Sequence, residues 1–142
     1  MLSNHPKTWA TIRPTRPIQS PGDNVLKTIL IIEDERVIAE ILCAVLEDEG
    51  YRVHVADNGK EGIAALKPVR PDLVLCDLMM PVADGKAVAR TMNSDPRYRS
   101  IPLILMSAGG TPPTDPGIHY AAFIRKPFDL SQLISVVERW VA

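Results

Sequence analysis

Excess charge of either sign is missing from this sequence: 16 basic and 17 acidic residues leave a formal net charge of -1. A dedicated nucleic-acid surface needs a strong basic excess, so direct nucleic-acid binding is not expected. Cysteine is scarce as well. Cys43 falls in a helical pattern and Cys76 in an apolar strand pattern, so both read as buried thiols of a reducing compartment, not as a disulfide or metal site. No apolar run approaches the length of a membrane span, and the amino terminus lacks the apolar stretch of a signal peptide. The expectation is a cytoplasmic protein with no membrane partner. What the chain does have is length enough, 142 residues, for one domain with a real core.

Residues 1–26 carry Pro6, Pro14, Pro17 and Pro21 with Lys7, Arg13 and Arg16 and no sustained apolar period. Such a composition cannot bury enough surface to offset its ordering entropy, so a disordered Pro-rich tail is expected. The pattern then changes. Lys27–Ile32 is a β-branched run ending at Glu33-Asp34-Glu35, a first core strand with acids at its end. Val37, Ile41 and Val45 step by four, as do Ile38, Leu42 and Leu46, which predicts the apolar stripe of a helix closed by Gly50. Tyr51–Val55 is a second strand. Gly59–Leu66 is a short helix stopped before Pro68, and Leu73–Asp77 is an unbroken apolar strand ending in one carboxylate. A helix over Gly85–Asn93, a strand over Pro102–Met106 and a short strand over Ala122–Arg125 follow. The last helix starts from Asp129 as N-cap, with Leu130, Leu133, Ile134, Val137 and Trp140 as its buried stripe.

Strands alternating with helices predict an α/β fold with a doubly wound, five-stranded parallel sheet of order 2-1-3-4-5. One helix is missing from the alternation. Between Ser107 and Phe123, Pro112, Pro113 and Pro116 remove backbone donors and Gly109 and Gly110 add freedom. A Pro-rich loop with at most one helical turn is expected there, so that the fourth helix is shortened or replaced.

In that strand order Glu33 and Asp34 meet Asp77 at the carboxyl edge of the sheet, where open α/β sheets bind ligands. Three crowded carboxylates repel, and unless a cation stands among them at least one should take up a proton near neutrality. Hard oxygen donors of this kind suit Mg2+. Ser107 reaches the same edge from the fourth strand and Lys126 from the fifth. A metal, a hydroxyl and an ammonium around one carboxylate make a clamp for phosphoryl oxygens, with the carboxylate as nucleophile. An aspartyl-phosphate site is the reading.

This constellation closely resembles the receiver domain of two-component response regulators. The resemblance is carried by Ile29-Leu30-Ile31-Ile32-Glu33-Asp34-Glu35, by Leu75-Cys76-Asp77-Leu78-Met79-Met80-Pro81 with Asp84-Gly85, by Met106-Ser107-Ala108, and by Phe123-Ile124-Arg125-Lys126-Pro127-Phe128. It covers residues 27–142. It implies that Asp77 accepts a phosphoryl group from a histidine kinase or histidine phosphotransfer protein, in a two-component pathway or phosphorelay. Asp34 and Asp77 would bind Mg2+ directly, Glu33 through water, and the carbonyl of Met79 would complete the protein ligands. Ser107 would hydrogen-bond the attached phosphoryl group, Lys126 would hold one of its oxygens, and Phe123 would be the switch aromatic. The Lys126-Pro127 peptide would be cis. The implied protein is a signalling domain that catalyses only its own phosphoryl transfer and dephosphorylation, a monomer or weak dimer that switches the binding of a downstream protein.

The sequence departs from the family in two places. Glu33 stands where aspartate is commoner, and the stretch from Ser107 to Lys126 is short and proline-rich. Signalling is therefore expected through the reshaped loop or the first helix. Because the chain ends at Ala142, just after the last helix, a stand-alone receiver is the expectation. Two rivals come from other classes. A pseudo-receiver that docks constitutively would not respond to Mg2+ and acetyl phosphate. A phosphatase with an aspartyl intermediate would want an acid two residues after its nucleophile, where Met79 stands. His54 and His119 have no spacing for a metal or catalytic pair.

Overall fold

The computed structural model describes residues 26–141; the expected Pro-rich tail lies, but for Leu26, outside the described residues. Five strands, β1 (Thr28–Ile32), β2 (Arg52–Ala56), β3 (Leu73–Asp77), β4 (Leu103–Ser107) and β5 (Ala122–Arg125), form one sheet of order β2-β1-β3-β4-β5. All four pairings are parallel, as the alternating pattern requires. The helices are α1 (Arg36–Asp48), α2 (Gly59–Val69), α3 (Gly85–Ser94) and α4 (Leu130–Val141).

Strand alternation divides the core in two. Ile29, Ile31, Leu73, Leu75, Ile104 and Met106 face α1 and α4, whose Leu42, Leu46, Leu133 and Val137 pack against them. Leu30, Ile32, Val74, Cys76, Leu103 and Leu105 face α2 and α3, meeting Leu66, Val88 and Met92. Every residue of β3 and β4 is buried, because both strands are central and covered on both sides. Both cysteines are buried and neither is in a disulfide.

Several boundaries move. α2 runs through Pro68 to Val69, with Arg70 left-handed at φ 51° as its cap. A proline in the last turn forfeits one backbone donor, and its ring is exposed, so the helix tolerates it. The stripe predicted for the last helix is also corrected. Leu130 and Trp140 are exposed, while Val141 is buried, because α4 meets the sheet along Leu133, Val137 and Val141. Val37 and Ile41 of α1 are exposed as well; the sheet takes the stripe of Ala39, Leu42, Cys43 and Leu46 instead.

No regular helix lies between Ser107 and Ala122, as the prolines predicted. The loop does a helix's packing by other means. Ile118 is buried in the core of the α2–α3 face, and Tyr120 packs against it. The Tyr120 hydroxyl donates to the Pro113 carbonyl at 2.7 Å, and Asp115 pairs with Lys86 and Arg90 of α3 at 3.3 and 3.7 Å. Asn93 accepts from the His119 N–H at 2.6 Å and donates to its carbonyl at 3.3 Å. Backbone groups that a helix would satisfy internally are thus tied to α3. No helix among the described residues is long and apolar enough to cross a membrane.

Candidate functional site

The site forms where β1, β3, β4 and β5 end. The Glu33 N–H donates to the Ala56 carbonyl at 3.1 Å, extending the β1–β2 pairing by one residue before the chain turns into α1. That fixes where Glu33 and Asp34 stand. Asp77 closes β3 opposite Met106, so Ser107 is the next residue along the neighbouring strand. The Lys126 N–H donates to the Ser107 carbonyl at 2.8 Å, which sets the lysine one position past the end of β5.

Carboxylate oxygens of Glu33, Asp34 and Asp77 all lie within 4.8 Å of one another. Glu33 and Asp77 are buried and Asp34 is exposed, so the cluster opens to solvent through Asp34. The cation that the crowding demanded is Lys126. Its ammonium donates to Glu33 Oε1 at 2.8 Å and lies 3.5 Å from Asp77 Oδ1, with its side chain 11% exposed. Burial raises the pKa of Glu33 and of Asp77 above the ordinary carboxylate range, and Lys126 pulls both back. For Lys126, burial works against the charged form. The hydrogen bond to Glu33 and the charges of Glu33 and Asp77 outweigh it, and its pKa is raised. Burial beside these acids pushes the Cys76 thiol far up, so it is no nucleophile.

The β3–α3 turn is tightly built. Gly85 begins α3 with its N–H donating to the Leu78 carbonyl at 2.9 Å, and Asp84 caps the helix by accepting from the Ala87 N–H at 3.0 Å. A Cβ on Gly85 would stand 2.8 Å from Leu78 Cα and 3.0 Å from the Asp77 carbonyl oxygen, closer than real Cβ atoms approach backbone. The Asp84-Gly85 pair therefore holds the loop that carries Met79, whose N–H bonds Asp77 and whose side chain is exposed.

Ser107 is fully buried, with its hydroxyl donating to the Gly109 carbonyl at 2.8 Å. Phe123 is half-buried against the α2–α3 core, and the Arg125 guanidinium lies 5.7 Å from its ring centre. The Lys126-Pro127 peptide is cis. Glu33, Asp34, Asp77 and Lys126 are thus brought together, Ser107 stands beside them with its hydroxyl turned to the following loop, and Phe123 lies on β5, half-buried against the α2–α3 core.

Two features were not read from the sequence. One is the direct grip of Glu33 on Lys126, 93 positions away, for which no local pattern exists. The other is a cleft of about 600 Å3 beside the acids, lined by Ile38, Ile41, Leu42, Phe128 and Leu130 and sharing Lys126 with the cluster. The exposed Ile41 was its one apolar signal on α1, hidden because its spacing also fits a buried stripe.

The donor set fits a hard divalent ion: three carboxylates, one reachable from solvent, with no soft ligand among them. Comparison with known proteins agrees. The family model described as "Response regulator receiver domain" matches residues 29–138. The DNA-binding response regulator MtrA of Mycobacterium tuberculosis is 33% identical over 118 residues, covering 81% of this chain and 50% of that protein. The chain spans about half the length of such curated relatives. Among solved structures, the receiver domain of a Syntrophus aciditrophicus signal transduction histidine kinase is 36% identical, with TM-score 0.72 over 81% of this chain and 89% of that one. The receiver domain of a Pseudomonas aeruginosa sensor histidine kinase is 25% identical, with TM-score 0.74 over 82% and 98%. That structure has a magnesium ion coordinated in its active-site cleft.

Proposed function

The chain belongs to the response regulator receiver domain family, and on that premise we propose that Asp77 is its phosphoacceptor, working in a Mg2+-dependent transfer from a phosphohistidine. The observation that carries this is the convergence of Glu33, Asp34 and Asp77 within 4.8 Å, with an ammonium 3.5 Å from Asp77. An Asp77 oxygen attacks phosphorus and forms a P–O bond as the P–N bond breaks, the electron pair returning to the imidazole of the donor. Hydrolysis of the resulting acyl phosphate by water returns Asp77 and inorganic phosphate.

Mg2+, held by Asp34, Asp77 and the Met79 carbonyl with Glu33 reached through water, would neutralise charge on the transferring group. Lys126 holds a second phosphoryl oxygen, which requires only that its ammonium move off Glu33. Ser107 turns its hydroxyl from the Gly109 carbonyl to the phosphoryl group, which frees the start of the β4–β5 loop. Arg125 donates to the Gly110 carbonyl at 2.8 Å while lying over Phe123, so the loop and the switch aromatic share one partner. The signal then leaves through this loop or through α1, whose exposed Ile41 lines the apolar cleft. That cleft suits the helix of a histidine-bearing partner, a kinase or phosphotransfer protein.

Acetyl phosphate and Mg2+ test the reading on intact protein by mass spectrometry. The chain should gain one phosphoryl group, lost in Asp77→Asn and in the presence of a chelator. No gain in the wild type would leave the docking module as the better account.

A further inference from the structure

We infer that Gly59, at the start of α2, is a positioning residue for the β3–α3 loop: its bare Cα seats the Val82–Ala83 tip, and through that seat it sets where the Met79 carbonyl stands. The inference rests on the reading of Asp77 as phosphoacceptor with Mg2+ beside it, and it adds a residue from outside the acid edge. The Gly59 N–H donates to the Val82 carbonyl at 3.1 Å. A Cβ on Gly59 would collide with the Ala83 carbonyl oxygen and stand 2.7 Å from its carbon and 3.0 Å from the Ala83 Cβ, so main chain fills the space a side chain would need. Gly59 is not among the glycines with positive φ, so alanine suits its backbone and would be the better helix former. What excludes a side chain here is the loop.

Of the two sides in contact, the helix is the stiffer. The Asn58 side chain caps α2 by accepting from the Glu61 N–H at 2.9 Å, and its carbonyl accepts from the Gly62 N–H at 2.9 Å. Gly62 lies flush on β1, where a Cβ would meet the end of the Ile32 side chain. The loop is closed at its base by the Gly85 N–H on the Leu78 carbonyl and anchored in the core by Met80, but Met79, Pro81 and Val82 are exposed. Ala83 holds a left-handed φ of 55°, which a residue with a side chain keeps only where its surroundings require it. A methyl at position 59 therefore displaces the tip of the loop, and the displacement passes along Val82, Pro81 and Met80 to Met79. Groups that orient a metal ligand without touching the ion act in this way.

Mg2+ titrations of the full chain, followed by backbone amide shifts, test the inference. Gly59→Ala should move the Met79 and Met80 amides before any metal is added, and should weaken Mg2+ binding about tenfold or more. Two further variants separate positioning from lost packing. Gly62→Ala adds the same methyl to the same helix but meets a flexible side chain, so it should leave the Met79 amide in place and Mg2+ affinity within threefold of wild type. Gly59→Ala with Ala83→Gly should return the Met79 amide and the Mg2+ affinity to near wild type, because glycine lets the carbonyl at position 83 turn aside. Unmoved Met79 and Met80 amides in Gly59→Ala, a loss of affinity in Gly62→Ala as large as in Gly59→Ala, or a double variant no better than Gly59→Ala in folding or in Mg2+ affinity would overturn the inference. A wild type that binds no Mg2+ would sink the metal reading alone, and the metal-free amide shifts would then decide the role of Gly59.

Discussion

Replacing Lys126 with Met removes one ammonium from between two buried acids and changes little else, because the methionine stem occupies the space of the lysine methylenes. The cost can be worked from the geometry. Lys126 lies 2.8 Å from Glu33 and 3.5 Å from Asp77, and at an effective dielectric of 20 each pair is worth about 5 kcal/mol before desolvation is counted. Burying the ammonium offsets most of that sum. What remains is the penalty of leaving a buried carboxylate without its partner, about 3–5 kcal/mol where burial is complete. Because Asp34 opens the cluster to water, a loss of about 3 kcal/mol at pH 7.5 in chelator is expected from urea unfolding.

The pH dependence is the sharper part. Glu33 and Asp77 are already held above their ordinary values by burial, with Lys126 pulling both down. Its removal raises both further. A carboxyl whose folded pKa exceeds its unfolded one binds more protons when folded, so stability falls as pH climbs from the unfolded toward the folded value. The deficit of Lys126→Met should therefore be greatest at neutral pH. It should shrink toward pH 4, by up to about 1.4 kcal/mol per pH unit for each group titrating. Saturating Mg2+ should recover part of it at pH 7.5. A deficit under about 1 kcal/mol at pH 7.5, or one unchanged at pH 5, would refute the assignment of Lys126 as the cation of the cluster.

Other outcomes test the neighbouring elements. Mg2+ at ten times its Kd should stabilise the wild type by about 1.4 kcal/mol at pH 7.5, seen as a higher urea midpoint. The gain should fade as pH drops through the raised carboxyl values, since the ion needs the acids deprotonated. Gly85→Ala should cost about 1–3 kcal/mol, because its methyl meets backbone of Leu78 and Asp77, and should slow phosphorylation by acetyl phosphate. Asp115→Ala should cost under about 1 kcal/mol, as its pairs with Lys86 and Arg90 are half-exposed. Hydrogen exchange over residues 110–120 should nevertheless rise clearly, since those pairs tie the loop to α3.

The apolar runs at 27–32, 73–77 and 102–106 announced buried parallel strands, and the residues ending or following them announced the acid edge, because composition and position within a strand are local properties. The prolines at 112, 113 and 116 excluded a helix for an equally local reason: each lacks an N–H. Which face of α1 is buried was not legible. Val37, Ile41 and Val45 and Ile38, Leu42 and Leu46 have the same period, and only the angle at which the sheet meets the helix exposes Val37 and buries Leu42.

The sequence by itself determined the alternation of strands and helices, the doubly wound order and the identity of the acids and the lysine at one edge. The alternation follows from the period of the hydrophobic residues and the right hand that nearly all such crossovers take; the order and the roles at the edge are what the resemblance to a receiver domain implied. Tertiary structure alone decided that Lys126 rests on Glu33 more closely than on Asp77, that Ser107 turns to Gly109, and that an apolar cleft opens beside them. Each of those depends on distances between residues brought together by strand register, and register at that scale is fixed by packing across the whole sheet and not by any neighbour in the chain.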